Sequence, residues 1–485
     1  MLTKQKLGLL AGPLSFLIIQ SLSLDGLSAT GQSVMASTAW IAIWWILETL
    51  PMAVTSLLPI VLFPLTGGLD IETTTTTYYS PMIMLFLGGF IIAIAIEKWN
   101  LHQRIALNII KMIGTNSSRI VLGFMVATAF LSMWISNTAT TLMMLPIGLA
   151  IARKIGEFQD QENGEQQARF KKSLMLSIAY AASIGGMATL IGTPTNAIFS
   201  AMSMELYAQE VTFFDWFSFG FPITILLLIV GWFYLTKIAF KAELSGAEGA
   251  RHEIDTHLKS FGKMSCEEKL VALVFAFTAT AWILRSFVLE HLLPGIDDTV
   301  IAIFGAIVLF IIPSRTRGVM LMDWESARKL PWGILILFGG GLAIAVGFQR
   351  SGLAEWLGQQ LSAMEQFHFA LILFAVVIMV NFFTEITSNV ATASVVLPIV
   401  ASLSQSIGAH PFGLMVGASI AASCAFMLPV ATPPNAIVYS STLLTMNDMV
   451  RAGFWMNIIS SLILFLCIYF LMPMIWGIDL MAYPF

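Results

Sequence analysis

Two Ser-Asn pairs, Ser136-Asn137 and Ser388-Asn389, lie 252 positions apart (388 − 136 = 252). Each opens a run of small polar residues, SNTATT and SNVATA, inside an apolar stretch. Two more polar breaks, Gly192-Thr193-Pro194-Thr195-Asn196 and Ala431-Thr432-Pro433-Pro434-Asn435, lie 239 positions apart (431 − 192 = 239). A helix that stops at such residues frees backbone N–H and C=O groups, and the side chains add hydroxyl and amide oxygens. Freed carbonyls are hard ligands suited to Na⁺, whereas freed N–H groups and helix N-termini suit carboxylate or sulfate. No Lys, Arg or His falls within the four motifs. An anion held there must therefore be offset by co-bound cations and helix dipoles. A dianion with two Na⁺ is neutral, and a third Na⁺ leaves a positive charge that the membrane potential drives inward, at about 2.3 kcal/mol per charge per 100 mV.

The elements that carry these breaks are membrane helices. The chain has 485 residues, of which 57% are hydrophobic and only 11% charged, with mean hydropathy +0.84. So few charges cannot cover a water-soluble fold of this length. The net charge of −4 gives no reason to expect nucleic acid as a partner. Cys266, Cys424 and Cys467 are far apart and imply neither a disulfide framework nor a zinc site. Met1 to Gln20 lacks a cleavage site and reads as the first span rather than a signal peptide. Apolar segments predict spans near 7–24, 34–50, 51–66, 81–97, 173–205, 215–236, 270–289, 299–313, 331–348, 410–443 and 454–476. Segments 120–152 and 369–403 read as re-entrant hairpins, because one crossing would place Arg153, Lys154, Lys171 and Lys172 on the wrong side. With the N-terminus cytoplasmic, only Arg285 and Arg350 of the 24 lysines and arginines face out, and the C-terminus lies outside. The fold expected is an all-α polytopic membrane protein of about 11 transmembrane helices and two hairpins.

The segment MLFLGGFIIAIAIEKWNL from Met84 resembles ILFGGGLAIAVGFQRSGL from Ile336, at the same offset of 252 that relates the Ser-Asn pairs and Pro146 to Pro398. The topology runs one copy inward and the other outward, so the repeat is inverted. Inverted repeats with matching broken segments belong to transporters and place the substrate where the breaks converge. Channel and intramembrane-enzyme readings lack support: nothing resembles a selectivity ring, and no HExxH or nucleophile–base pair is present. The six histidines fall near span ends or in loops and read as solvated or interfacial. Glu385, three residues before Ser388, either tunes a cation site or braces the hairpin through a proton or hydrogen bonds. Glu48 reads as an interfacial or interhelical polar contact.

The SNTAT and SNVAT tips, the GTPTNA and ATPPNA breaks and the early LETLPMAVTSLLPIVLFPLTG resemble the divalent anion:sodium symporter family of INDY-type dicarboxylate and citrate transporters. The match covers essentially the whole chain. It implies a homodimer in the lipid bilayer whose transport domain moves as an elevator against a scaffold domain. It implies no organic cofactor, with Na⁺ as the coupling ion. Residues 1–97 would be first-repeat scaffold spans, and 98–205 the first transport part, with hairpin 120–152 and an unwound span at 192–196. Residues 206–269 would form a span and cytoplasmic linker, and 270–348 the second-repeat scaffold spans. Residues 349–443 would be the second transport part, with hairpin 369–403 and an unwound span at 431–435, and 444–485 the last span. By motif position, one sodium site would use Ser132, Ser136, Asn137 and Gly192, and the other Thr384, Thr387, Asn389 and Ala431. The substrate would meet Ser136, Asn137, Thr138, Thr193, Pro194, Ser388, Asn389, Val390, Thr432 and Pro433. Val390 departs from the family's Ser-Asn-Thr pattern and removes one hydroxyl. The resemblance implies C4-dicarboxylate transport, with sodium-independent exchange or citrate or sulfate carriage as alternatives.

Overall fold

Helices begin where a side chain accepts from the first unpaired N–H groups. Ser28, Asp70, Asn116 and Asp297 cap in this way, and Thr212, Ser265 and Thr445 form capping boxes with Asp215, Glu268 and Asp448. The computed structural model describes residues 2–114, 116–157, 164–242, 247–315 and 318–485, so the middle of the polar loop after Arg153, and Arg317, lie outside the described residues. Among those described, the elements are helical, apart from one isolated bridge between Pro313 and Met320.

Helices α1 (Leu2–Ser21), α2 (Ala29–Ile46) and α3 (Leu58–Thr66) come first. Then follow α4 (Pro81–Lys98), α5 (Leu101–Ile113), α6 (Ser117–Ser132), α7 (Asn137–Glu157), α8 (Gly164–Gly186) and α9 (Pro194–Tyr207). Next are α10 (Phe213–Phe233), α11 (Ala247–Ser260), α12 (Cys266–Leu284) and α13 (Asp298–Ile311). The α4–α9 succession then recurs as α14 (Trp332–Arg350), α15 (Leu353–Gln360), α16 (Phe369–Phe383), α17 (Asn389–Ser406), α18 (Pro411–Ala422) and α19 (Pro433–Tyr439), before α20 (Met446–Leu466). Even the entry to the second helix of each repeat matches. Asn100 and Gly352, 252 positions apart, both adopt left-handed backbone before α5 and α15. Glycine does so freely, and asparagine is among the few other residues that tolerate it.

By length and composition, six helical stretches among the described residues could cross a membrane: 71–98, 213–239, 266–292, 332–350, 389–406 and 446–476. Shorter apolar helices include 117–132, 369–383 and 411–422. Helix backbones approach closely at small residues, as expected where lipid supplies no hydrophobic drive. A Cβ on Gly185 would fall 2.4 Å from the Ala129 carbonyl oxygen, and one on Gly88 2.7 Å from the Ala302 backbone. The larger apolar cluster spans both repeats, and a smaller one joins α2, α3, α14, α15 and the start of α17.

Two expectations need correction. The helix breaks lie at 187–193 and 423–432, upstream of the 192–196 and 431–435 expected. Pro194 and Pro433 start helices instead of unwinding them, because a first-turn residue needs no N–H and proline's fixed φ suits that position. The histidines are not all solvated either. His102 and His410 are buried, the first with its ring against the Ile96 carbonyl, the second accepting from the Phe412 N–H at the start of α18. A neutral imidazole offers an acceptor that such a helix start requires.

Candidate functional site

The first hairpin, α6 and α7, is interrupted by Met133 to Ser136. Thr140 N–H donates to the Ser136 carbonyl and Ala139 N–H to its hydroxyl, so Ser136 begins α7 and Asn137 occupies its first position. At the end of α6, the buried Ser132 hydroxyl lies 2.5 Å from Asn137 Oδ1 and 2.7 Å from the Ala182 carbonyl. Across from it, a Cβ on Gly186 would meet Asn137 Oδ1 at 2.8 Å and the Gly192 carbonyl oxygen at 3.0 Å. Ser132, Asn137, Gly186 and Gly192 thus surround one small space.

The second hairpin, α16 and α17, repeats this construction. The Thr384 hydroxyl lies 2.8 Å from Asn389 Oδ1 and 2.9 Å from the Ala422 carbonyl. Each cluster gathers one hydroxyl, one asparagine amide and one backbone carbonyl, the last two 2.5–2.9 Å from the hydroxyl oxygen. Hydroxyl, amide and carbonyl oxygens so placed could hold a hard monovalent cation, and they suit Na⁺.

The breaks that follow are fastened by asparagines in the same register. Asn196 Nδ2 donates towards the carbonyls of Gly186 (3.2 Å), Met187 (3.3 Å) and Thr189 (2.8 Å). Asn435 Nδ2 donates to those of Ala425 and Leu428, both at 3.1 Å. The repeats also interlock: α9 packs on α17 and α18, and α19 packs on α7 and α8. Ser423 links the two breaks, 2.8 Å from the Thr195 hydroxyl and 3.4 Å from that of Thr193, while Ser419 donates to the Thr195 carbonyl.

A family profile described as "Sodium:sulfate symporter transmembrane region" matches residues 5–481. The chain belongs to the divalent anion:sodium symporter family. Among its relatives is a "Sodium-dependent dicarboxylate transporter SdcS" of Staphylococcus aureus, 47% identical over 484 residues, 99% of this chain and 93% of that one. Another of the same name, from Staphylococcus saprophyticus, is 46% identical over 481 residues, covering 98% and 93%. The fold alone resembles two solved structures. For the Alcanivorax borkumensis YdaH transporter the TM-score is 0.59 at 14% identity, covering 91% of this chain and 98% of that one. For Neisseria gonorrhoeae MtrF it is 0.58 at 13% identity, covering 88% and 86%.

In this symporter-family chain the residues singled out by motif do not all converge in the same way. Ser132, Asn137 and Gly192 meet at the first cluster, and Thr384 and Asn389 at the second. Thr387 instead turns its hydroxyl to Thr392 (2.6 Å) and to the Phe383 carbonyl (3.0 Å), bracing its own hairpin. Ala431 donates its N–H to the Leu428 carbonyl. Ser136, Thr138, Ser388 and Val390 are half-buried at the tips, and Val390 packs against both apolar clusters. Pro194 is half-buried, Pro433 exposed, and Thr193 and Thr432 buried, with the Thr432 hydroxyl accepting from the Asn435 N–H. Gly186, Thr189, Ser419 and Ser423 escaped the sequence reading. The Gly185-Gly186 pair ending an apolar run was the one signal available for the first of these. Glu48 is exposed just beyond α2, with left-handed backbone.

Proposed function

We propose that this chain is a secondary active transporter that carries C4-dicarboxylates such as succinate, malate and fumarate with Na⁺. The observation that carries this reading is the pair of matched oxygen clusters, each built at the first residue of a hairpin's returning helix. Cations at Ser132–Asn137 and Thr384–Asn389 would sit beside the N-termini of α7 and α17, whose free N–H groups and dipoles favour a carboxylate. The dianion then lies between Ser136, Asn137 and Thr138 on one tip and Ser388 and Asn389 on the other. Thr193, Pro194, Thr432 and Pro433 border it, and Val390 packs the second tip against the apolar clusters behind it. Cation and anion favour each other because each offsets charge that the uncharged motifs leave bare.

The sodium dependence and the dicarboxylate named for the Staphylococcus relatives support the same choice. An inverted arrangement of eleven spans and two hairpins, with the N-terminus cytoplasmic and the C-terminus outside, accounts for the lysine and arginine distribution. The transport parts move as an elevator within a homodimer. The test is uptake of labelled succinate into proteoliposomes, with and without an inward Na⁺ gradient and with preloaded counter-substrate. Symport predicts gradient-driven uptake without counter-substrate, whereas uptake requiring counter-substrate and indifferent to Na⁺ would make the protein an exchanger. Asn137→Ala and Asn389→Ala should each abolish uptake in a folded protein, and normal uptake by either would remove the tips from the site. An impermeant thiol reagent should reach a single cysteine at position 153 from the cytoplasmic side, and labelling only from outside would overturn the inverted topology.

A further inference from the structure

The two oxygen clusters are alike, but the supports behind them are not. Met133 follows Ser132 in the first hairpin, and Glu385 follows Thr384 at the matching place in the second. In the first repeat the Thr189 hydroxyl donates to the Met133 carbonyl at 2.6 Å, a neutral contact. In the second, the Glu385 carboxylate accepts from three successive backbone N–H groups: Phe426 at 2.7 Å, Met427 at 2.9 Å and Leu428 at 2.9 Å. Asn457 Nδ2 donates to the same carboxylate at 2.7 Å. Glu385 is only 2% exposed. Four donors converge on it, three on Oε1 and one on Oε2, so the Glu385 side chain ties the second break to the end of α16.

That carboxylate fixes the peptide planes of the second break from 425 to 428. Asn435 holds the carbonyls at either end of that stretch, Ala425 and Leu428, and Leu428 also accepts from the Ala431 N–H. The loop held by Glu385 follows Ala422, whose carbonyl lies in the second cluster, and Glu385 itself adjoins Thr384 there. Three of its donors are backbone N–H groups and the fourth is the Asn457 amide, so the second break is held at three points and the carboxylate at a fourth, where the first break has one hydroxyl on a carbonyl. The first cluster has methionine in place of Glu385.

Building on the sodium-coupled reading above, we infer that the two cation sites are unequal, and that Glu385 acts as a positioning residue that makes the second site the tighter. The second site fills first and stays filled at low Na⁺. The first fills at higher Na⁺ and is the one whose occupancy tracks the gradient. Exchanging one side-chain acceptor oxygen for an amide NH2 that faces the same donors should weaken the second site about tenfold or more.

The experiment is a Na⁺ titration of melting temperature on the purified full chain in detergent, with choline chloride holding ionic strength constant. Wild type should show a tight and a weak stabilising phase. Glu385→Gln should move the tight phase about tenfold or more to higher Na⁺ and leave the weak phase in place. A folded Glu385→Gln that melts lower without Na⁺ but keeps its tight midpoint makes Glu385 a structural brace and overturns the inference. Thr384→Ala and Ser132→Ala decide the order even if Glu385→Gln does not fold. Thr384→Ala should delete the tight phase and Ser132→Ala the weak one, and the reverse assignment, or a single phase of two equal sites, refutes it. A wild type that responds no differently to Na⁺ than to choline would sink the sodium-coupled reading itself, and that result is visible before any variant is made.

Discussion

Gly192→Ala isolates the first cation cluster because the new atom meets only backbone. Its Cβ would fall 2.5 Å from the Gly186 carbonyl oxygen and 3.0 Å from the Gly186 carbonyl carbon and Cα. Ordinary contact begins near 3.5 Å, so the break must move away from the end of α8 by roughly 1 Å. No rotamer change can relieve this, since both partners are main chain. Binding constellations tolerate only about 0.5 Å before they loosen. Forcing a methyl into a packed site costs about 1–3 kcal/mol, which, if it falls on the ion-bound state, weakens Na⁺ binding about 5- to 150-fold. The second repeat carries Ala431 at the matching position, so only one cluster is sensitive in this way. The assay is the Na⁺ dependence of succinate uptake in proteoliposomes together with the Na⁺ dependence of melting temperature. Gly164→Ala is the control, because nothing lies within 4 Å of its added Cβ. Gly192→Ala should raise the Na⁺ concentration for half-maximal uptake at least several-fold. An unchanged Na⁺ midpoint in a folded variant would refute the placement of Gly192 at a cation site.

Asn196→Ala and Asn435→Ala should lower the melting temperature by similar amounts, since each strands one backbone carbonyl, Gly186 or Ala425, at about 1–3 kcal/mol, while Met187, Thr189 and Leu428 keep the Trp216 indole, the Gly192 N–H and the Ala431 N–H, and an unchanged melting temperature would count against the break-fastening role. Val390→Thr should lower melting temperature while leaving the ratio of inhibition constants for succinate, 2-oxoglutarate and citrate unchanged, because Val390 packs against both apolar clusters, and a shifted ratio would make it a direct specificity contact. The Lys98 ammonium and the Ser326 N–H hold Asp323, in the connection before α14, down at about 2. A depressed folded value means that this contribution is present above the ordinary carboxylate value of 3.8 and is lost as pH falls through the folded one. The melting-temperature gap between wild type and Asp323→Asn should therefore hold steady from pH 7 to 5 and narrow only below 3.8, and a gap that closes near neutrality would contradict the assignment.

The repeat and its breaks were legible because Ser, Asn, Thr, Gly and Pro stand out in a chain that is otherwise apolar. A constant offset of 252 turned two short motifs into one architectural statement. Helix starts were misplaced by proline: Thr-Pro reads as an interruption, yet at Pro194 and Pro433 it opens a helix and moves the break upstream. The amphipathic helix α5 was missed because Arg104, Asn108 and Lys111 disqualify it as a span, while Leu101, Ala106, Leu107 and Ile110 lie on its buried side. Its Arg104 reaches Glu268 at 2.9 Å, a pairing between distant parts of the chain that no local pattern announces.

The same limit explains what sequence could say about chemistry. Residues that act within one hairpin, Ser132 with Asn137 or Thr384 with Asn389, are five apart and follow from the motif. Residues that join the repeats, Thr195 with Ser423 or Glu385 with 426–428, are set by how α9 and α19 exchange partners. Glu385 shows the consequence most clearly. From its position alone, a cation-tuning role and a bracing role were both open, with bracing the favoured one. The geometry joins the two, because the N–H groups it braces belong to the loop that follows Ala422, whose carbonyl meets Thr384. A side chain that gathers four donors orders the backbone around it, so a change at Glu385 reaches Thr384 and the loop after Ala422 together. Replacing it with a neutral residue of the same shape therefore perturbs the cation site even where the fold survives.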